Sequence, residues 1–307
     1  MATDSRTHTV YLADGNQIVA VDERTGVATS FGATLGGTVD LVAVDSVLAE
    51  VFVAVDDAHG TYQIKALAGP SLSTIATIPM AGSVRAMTVD ERSHTLVAVG
   101  NADTGGVATF IDERLNAVRG SAAVGTSPAA VAVDDVRGIA YVANETENTV
   151  SVVSLDDDMS VNDVIPVGEQ PAGVAVDQLS HEAFVTNHTS NSVSVIASTL
   201  DPTGGAPAYS VIKTVDVAGN PWGVAVDSTT HVVYVAPEGG HSVTLLDGLS
   251  GDVSEVVPLA AGNLFHVAID ESLNTASVIA RIDPAITLIS PALDLAPAPT
   301  CSLTWCR

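Results

Sequence analysis

Short apolar runs recur along this chain at nearly constant intervals. Six of them end in an aspartate: VDLVAVD (39–45), VRAMTVD (84–90), PAAVAVD (128–134), PAGVAVD (171–177), PWGVAVD (221–227) and LFHVAID (264–270). The closing aspartates lie 43 to 50 residues apart, and a second apolar run begins seven residues after each of them. Third and fourth runs follow in most repeats, rich in Val, Ile and Thr and bounded by Gly, Asn, Asp or Pro. This pattern is typical of short β-strands, four to a repeat.

Four short strands in each repeat of this length are typical of the blades of a β-propeller. A seventh copy of the second run, YLAD, begins at Tyr11. The sequence therefore predicts an all-β fold, a seven-bladed β-propeller of four-stranded antiparallel blades. We expect residues 1–7 to form an N-terminal arm, residues 8–290 to form the single propeller domain, and residues 291–307 to be a Pro-rich tail.

The seam between the first and last blades is expected to be imperfect. The first repeat starts at its second strand, and the last repeat ends after its third run, AITLIS (285–290). Three arrangements stay open: TCSLTW (300–305) returns as the missing inner strand, the seam has three-stranded sheets on both sides, or the tail is disordered. In every repeat we expect the closing aspartate to cap a turn by accepting backbone N–H bonds.

Two of the repeats resemble a known family. YVANETENTVSVVSLD (141–156) and FVTNHTSNSVSVIA (184–197) are similar to the YVTN β-propeller repeat of microbial surface-layer and periplasmic proteins, including the YncE type. The resemblance covers about residues 8–290. It implies a seven-bladed ring, a secreted or cell-envelope location and a binding or interaction function without catalysis. The first residues of the chain, MATDSRTHTV, lack the features of a signal peptide.

The order of strands in a propeller brings two sets of positions to one axial mouth. The second position of each closing-aspartate motif and the position after each second run should converge there. We predict a ligand pit at this mouth, formed by Trp222, Phe265, Arg281, Arg85, Asp40, Asp56, Glu145 and His188. Its occupant is a small molecule, or a protein or polymer at the axial face, and a purely structural face is the third alternative. Glu238 and Arg281, at equivalent points of neighbouring blades, would then form a plain surface ion pair.

A more distant resemblance, to the streptogramin B lyase propellers, implies catalytic His residues in the last two blades and a Glu with Mg²⁺. The chain has Trp222, Phe265 and Arg281 at those positions, so it departs from that pattern at each of them. A natural-product lyase, isomerase or cyclase is therefore kept as the alternative function, with His266 as general base and Glu238 as acid or metal ligand. No cofactor is predicted, and a divalent metal near His188, His241 and His266 is an alternative.

Composition and charge narrow the range of partners. The 36 Asp and Glu residues against 11 Lys and Arg residues give a formal net charge of -25. A nucleic-acid binder that relies on a basic surface is excluded on this ground, as is attachment to anionic lipid. No apolar run is long enough to span a membrane, and we expect a monomer. Cys301 and Cys306 are the two cysteines, and a disulfide, free thiols and a metal site all stay open for them.

Overall fold

The computed structural model describes residues 1–31, 35–57, 61–69, 71–156, 158–199, 207–238, 240–259, 264–280 and 286–289. Within these ranges the regular elements are β-strands. None of the described segments is a helix long and apolar enough to cross a membrane.

Six blades each contain four antiparallel strands in chain order. Blade one is β1 (Ala2–Asp4), β2 (Thr9–Asp14), β3 (Gln17–Asp22) and β4 (Ala28–Phe31). Blade two is β5 (Thr38–Asp45), β6 (Glu50–Asp56), β7 (Tyr62–Ala68) and β8 (Ser73–Pro79). Blade three is β9 (Ala86–Asp90), β10 (Thr95–Ala102), β11 (Gly105–Asp112) and β12 (Ala117–Ala123). Blade four is β13 (Pro128–Asp134), β14 (Ile139–Asn144), β15 (Thr149–Ser154) and β16 (Val161–Pro166).

The remaining sheets follow the same order. Blade five is β17 (Pro171–Val176), β18 (Ala183–Asn187), β19 (Ser192–Thr199) and β20 (Ala208–Asp216). Blade six is β21 (Pro221–Asp227), β22 (Val232–Pro237), β23 (Ser242–Asp247) and β24 (Asp252–Pro258). The last sheet, which we call the seam sheet, has three described strands, β25 (Leu264–Asp270), β26 (Thr275–Ala280) and β27 (Ile286–Ile289). The propeller thus has six four-stranded blades in its described part, where seven had been predicted.

The first strands of the sheets line the axis and contact one another in a circle. Each touches the first strand of the next sheet, and β25 of the seam sheet contacts both β21 and β1. The apolar core lies between neighbouring sheets, as where Tyr141 and Val152 of blade four pack with Val185 of blade five. Second and third strands are buried on both faces, whereas the fourth strands are mostly exposed to solvent. This burial explains why the inner runs read as continuously apolar.

The expected N-terminal arm is wrong, because residues 2–4 are the inner strand of blade one. β1 pairs with β2 through Ala2↔Tyr11, Thr3↔Val10 and Asp4↔Thr9. This pairing satisfies backbone groups of β2 that would otherwise form an open edge at the axis. Asp4 lies seven residues before Tyr11, the spacing seen in the other repeats, so the sequence carried the signal. Residues 300–305, the other candidate for this strand, lie outside the described residues.

Each closing aspartate is buried and uses one carboxylate oxygen to cap its turn, as predicted. Asp45 Oδ1 accepts hydrogen bonds from the backbone N–H groups of Val47 and Leu48, both at 2.7 Å. Asp4, Asp90, Asp134, Asp177, Asp227 and Asp270 cap their turns in the same way. The turn ends in a residue with positive φ, four positions after the aspartate.

The second oxygen of four of these aspartates binds a histidine of the next sheet. The pairs are His94–Asp45 (2.7 Å), His181–Asp134 (2.9 Å), His231–Asp177 (2.6 Å) and His8–Asp270 (2.7 Å). In each pair the histidine Nδ1 contacts Oδ2, and we call this contact the Asp–His latch. The histidine is the positive-φ residue that ends its own turn. The latch therefore ties the turn of one sheet to the turn of its neighbour.

The latch between His8 and Asp270 closes the ring across the seam. Glu23, which follows β3, joins it from blade one and accepts a hydrogen bond from Ser277 Oγ of the seam sheet at 2.7 Å. Ser272 Oγ also contacts Asp270 Oδ1 at 2.6 Å. Burial raises the pKa of Glu23 to about 7; the Ser277 hydrogen bond opposes the rise and Asp270 adds to it. Polar contacts thus close the ring where strands from the two ends of the chain meet.

Replacing His8 with Ala is expected to weaken the ring closure. Asp270 would keep a buried Oδ2 without its donor, a loss of about 1–3 kcal/mol in the free energy of unfolding. Urea unfolding of His8→Ala and of His241→Ala, an exposed histidine outside the latches, checks this expectation. Equal urea midpoints for the two variants would contradict the role of the latch.

Glu23 should make stability fall as pH rises. A carboxyl group whose pKa is raised on folding binds more protons in the folded state than in the unfolded state, where the pKa of a Glu side chain is about 4.3. Its contribution is therefore present at pH 5 and is lost as pH rises through about 7. Glu23→Gln imitates the neutral acid, so its urea midpoint should fall less between pH 5 and pH 8 than that of the wild type. Parallel pH profiles would refute the assignment.

Candidate functional site

A cavity of about 420 Å³ opens at the axis between the starts of the first strands. Its wall includes residues from six sheets. Five of the sheets contribute the second position of the closing-aspartate motif, and the seam sheet contributes the residue after that position. These residues are Asp40, Arg85, Ala129, Ala172, Trp222 and His266. In the structure these motif positions thus lie together around one cavity.

Local β-bulges direct these side chains to the axis. The pairing register of the inner strand shifts across Asp40, Ala129, Ala172 and Trp222, each of which lacks an opposite partner in the second strand. A bulged residue leaves the regular alternation of the strand, so its side chain can point along a new direction. The repeat of one bulge in successive sheets explains why one motif position supplies one wall of the cavity.

An aromatic and charged cluster stands at the rim beside blades five and six. The ring of Trp222 meets the ring of His188 edge-on, with centroids 5.4 Å apart and an angle of 86°. His188 Nε2 lies 2.9 Å from Glu238 Oε2. Backbone bonds hold both residues, since His188 N donates to Gln170 O and Glu238 N donates to Asn220 O. All three side chains are half-buried, so the cluster is held in place and still reaches solvent.

A second rim pair joins blades three and four. Arg85 Nη2 donates to Glu145 Oε2 at 3.0 Å, and both side chains are partly exposed. An exposed ion pair of this kind contributes little to stability, about 0–1 kcal/mol. Its effect is to orient the Arg85 guanidinium over the cavity, where Asp40 from the neighbouring blade is exposed.

His266 presents a neutral imidazole to the cavity. Desolvation lowers its pKa, although the side chain keeps exposed surface, and the amino group of Met1, which also lines the cavity, lowers the pKa further. The residues equivalent to His266 in the two preceding sheets are Gly173 and Gly223. A neutral imidazole in a pocket can accept a hydrogen bond or a proton.

The predicted site residues have different outcomes. Asp40, Arg85, Trp222 and His266 line the cavity, whereas Glu145, His188 and Glu238 form the rim pairs. Asp56 ends β6 and is not part of the cavity wall. Glu238 pairs with His188, and its predicted neighbour Arg281 lies outside the described residues. The Phe265 side chain, Cys301 and Cys306 also fall outside the described part of the chain.

The opposite end of the axis carries a polar ring that the motif analysis missed. In several sheets the residue after the closing aspartate reaches back to the preceding sheet: Glu91 Oε1 accepts from Ser46 N, and Gln178 Oε1 accepts from Asp135 N. Glu271 Oε1 accepts from Ser228 N in the same manner. Burial raises the pKa of Asp135 to about 7, and nearby acidic residues, beginning with Asp90 and Glu91, raise it further. These contacts join sheets around the second mouth, where Glu91, Asp135, Gln178 and Glu271 also line a cavity of about 410 Å³.

Comparisons with solved structures support the same architecture. The chain is similar to the Kuenenia stuttgartiensis hydrazine synthase (TM-score 0.73, 16% identity, 95% of each chain covered). It is similar to a functionally unknown protein from Desulfotomaculum acetoxidans (TM-score 0.73, 18% identity, 92% of each chain). A third match is the β-propeller domain of Cps50 (Swd1) from Myceliophteria thermophila (TM-score 0.74, 8% identity, 94% of this chain and 96% of that one).

At these identities the matches define the fold alone. The chain is a β-propeller of four-stranded antiparallel blades. No protein-family model matches it, and no curated protein does. The resemblance to the YVTN family therefore rests on the repeat motifs.

Gly173 is required for the approach of Trp222 to the rim. A Cβ at this position would lie 2.4 Å from the Trp222 carbonyl oxygen and 2.9 Å from Thr186 Oγ1, which itself donates to that carbonyl at 2.8 Å. Gly173→Ala should therefore displace the Trp222 bulge and cost about 1–3 kcal/mol. Gly120→Ala is the matched control, because its Cβ would meet only the flexible end of Met159. Urea unfolding of both variants measures the difference, and equal midpoints would contradict this account.

Proposed function

We propose that the chain is a binding protein of the YVTN β-propeller type, with the axial cavity as its ligand site and the seam sheet as the seventh blade of its ring. The observation that carries the proposal is the convergence of Asp40, Arg85, Trp222 and His266 on one cavity. These residues come from four sheets and lie far apart in the sequence. A cavity of this size is in the range used by small-molecule sites, about 300–1,000 Å³.

The chemistry of the wall favours a small organic cation with an aromatic or other apolar part. Trp222 supplies an aromatic surface, which attracts cations through its π-system. Asp40 in the wall and Glu145 and Glu238 at the rim are carboxylates, whereas Arg85 and the Met1 amine, whose pKa burial lowers to about 6, are basic groups of the wall. The net charge of -25 adds a long-range attraction for cations.

An enzyme is the second candidate, and the neutral His266 on the cavity wall is what favours it. A neutral imidazole has a free ring nitrogen that can take a proton from a bound substrate in an elimination or ring-forming reaction, although a lowered pKa makes it a weaker base. Glu238 would act from the rim, through its contact with His188. The same cavity would then hold a natural-product substrate.

Fluorescence of Trp222 tests the binding proposal directly. In a Trp305→Phe background, benzyltrimethylammonium is titrated and compared with benzyl alcohol and benzoate, which share the ring and differ in charge. We expect saturable binding of the cation, with at least tenfold weaker binding of the other two. Trp222→Phe would remove this reporter, so binding to that variant and to Asp40→Asn is measured by calorimetry.

The variants separate the alternatives. Loss of binding in Asp40→Asn with native folding supports the cation site, and a matched surface change, Asp252→Asn, should leave binding unchanged. Equal binding of all three probes would refute the charge preference, and no binding of any probe would refute this ligand class. A turnover that is retained in His266→Ala would remove the enzymatic candidate for the substrate under test.

A further inference from the structure

A buried cluster of metal-binding side chains lies between blades two and three, away from the axial cavity. Asp45 and Glu113 have no exposed surface, and His94 is 7% exposed. Each residue places a possible ligand atom within 4.8 Å of the others. Imidazole nitrogen and carboxylate oxygen together are a donor set that suits Zn²⁺ and other first-row divalent ions.

The Asp–His latch does not itself require the glutamate of this cluster. Glu113 follows β11, and its N–H donates to His94 O. The equivalent N–H group, which donates to the carbonyl of the residue that ends the turn, belongs to Leu155 in blade four and to Gly248 in blade six. The His231–Asp177 latch of blade six thus forms beside a glycine. A buried carboxyl group at position 113 therefore needs a reason other than the latch.

The seam latch shows how the chain accommodates a glutamate at this position when it serves only packing. There, Glu23 accepts a hydrogen bond from Ser277, the third residue of β26. The third residue of β6 in the Glu113 interface is Phe52, which offers no donor. Among the described residues, no N–H or hydroxyl group donates to either oxygen of Glu113.

The polar groups that face Glu113 are other acidic residues. Asp45 shares a hydrogen bond with the Glu113 carboxyl group, and Glu50 and Glu91 are close enough to interact with it electrostatically. Glu50, at the start of β6, also has a buried Oε2 that no described group donates to. A cation would neutralise this concentration of carboxyl groups, and Asp45 Oδ2 can serve it because Oδ1 caps the turn.

We propose that Asp45, His94 and Glu113 bind one divalent transition-metal ion, zinc or manganese, between blades two and three. His94 binds through Nδ1, which then carries no proton, and Glu113 binds as the carboxylate. The ion displaces the carboxyl proton of Glu113, while the imidazole of His94 keeps its one proton on Nε2. It holds blade two to blade three where the other latches use a hydrogen bond alone.

Metal analysis of the full chain tests this site. All variants carry Cys301→Ser and Cys306→Ser, so that thiols contribute no metal binding. The protein is refolded with Zn²⁺ or Mn²⁺, dialysed, and its metal content and thermal midpoint are measured. We expect one bound ion per chain and a higher midpoint for the starting protein, and at least a tenfold loss of affinity in Glu113→Gln. Glu23→Gln, the equivalent change at the seam, is the matched control and should keep the ion.

Two results would overturn the proposal. One is a starting protein without stoichiometric metal, and the other is Glu113→Gln retaining as much metal as Glu23→Gln. An anomalous-difference peak at the zinc edge between Asp45, His94 and Glu113 locates the ion without any variant, so the test holds even if Glu113→Gln fails to fold. A peak elsewhere would also overturn the assignment.

Discussion

A buried aspartate ends the first strand of every sheet, and its two carboxylate oxygens bind different partners. Oδ1 caps the turn that follows, which fixes the path from the first strand to the second. Oδ2 accepts from a histidine of the next sheet at four interfaces. One side chain thus sets the local turn and the distance between sheets. Because a buried carboxylate without partners is costly, the two contacts depend on each other.

The same repeat that builds the ring also builds its cavity. Five inner strands begin with a bulge at the axis, and the aspartate that closes each of them caps a turn at the opposite mouth. Packing between sheets is apolar, so the positions free to vary in polarity are those at the two ends of the inner strands. At the first mouth these positions carry Trp222, Arg85 and Asp40. The fold therefore requires least of the side chains at these two mouths.

The seam shows how a closed ring is made from a chain whose ends differ. β1 completes blade one from the N-terminal residues, and the His8–Asp270 latch joins blade one to the seam sheet. Closure therefore uses the same polar contact as the interior interfaces. Glu23 and Glu113, in equivalent positions, differ in what faces them: Ser277 donates to one oxygen of the first, while acidic residues surround the second. Equivalent positions in a repeat can thus acquire different chemistry.

The sequence by itself determined the strand pattern, the turn role of the closing aspartates and the set of motif positions that meet at the axial mouth, because each follows from periodicity. It also carried two signals that went unused: Asp4 seven residues before Tyr11, and a histidine four residues after several closing aspartates. Only the tertiary structure decided that Glu238 faces His188 and that Glu113 faces Asp45. Those contacts join different sheets, and their partners depend on side-chain direction and on the distance between blades, which no local pattern encodes.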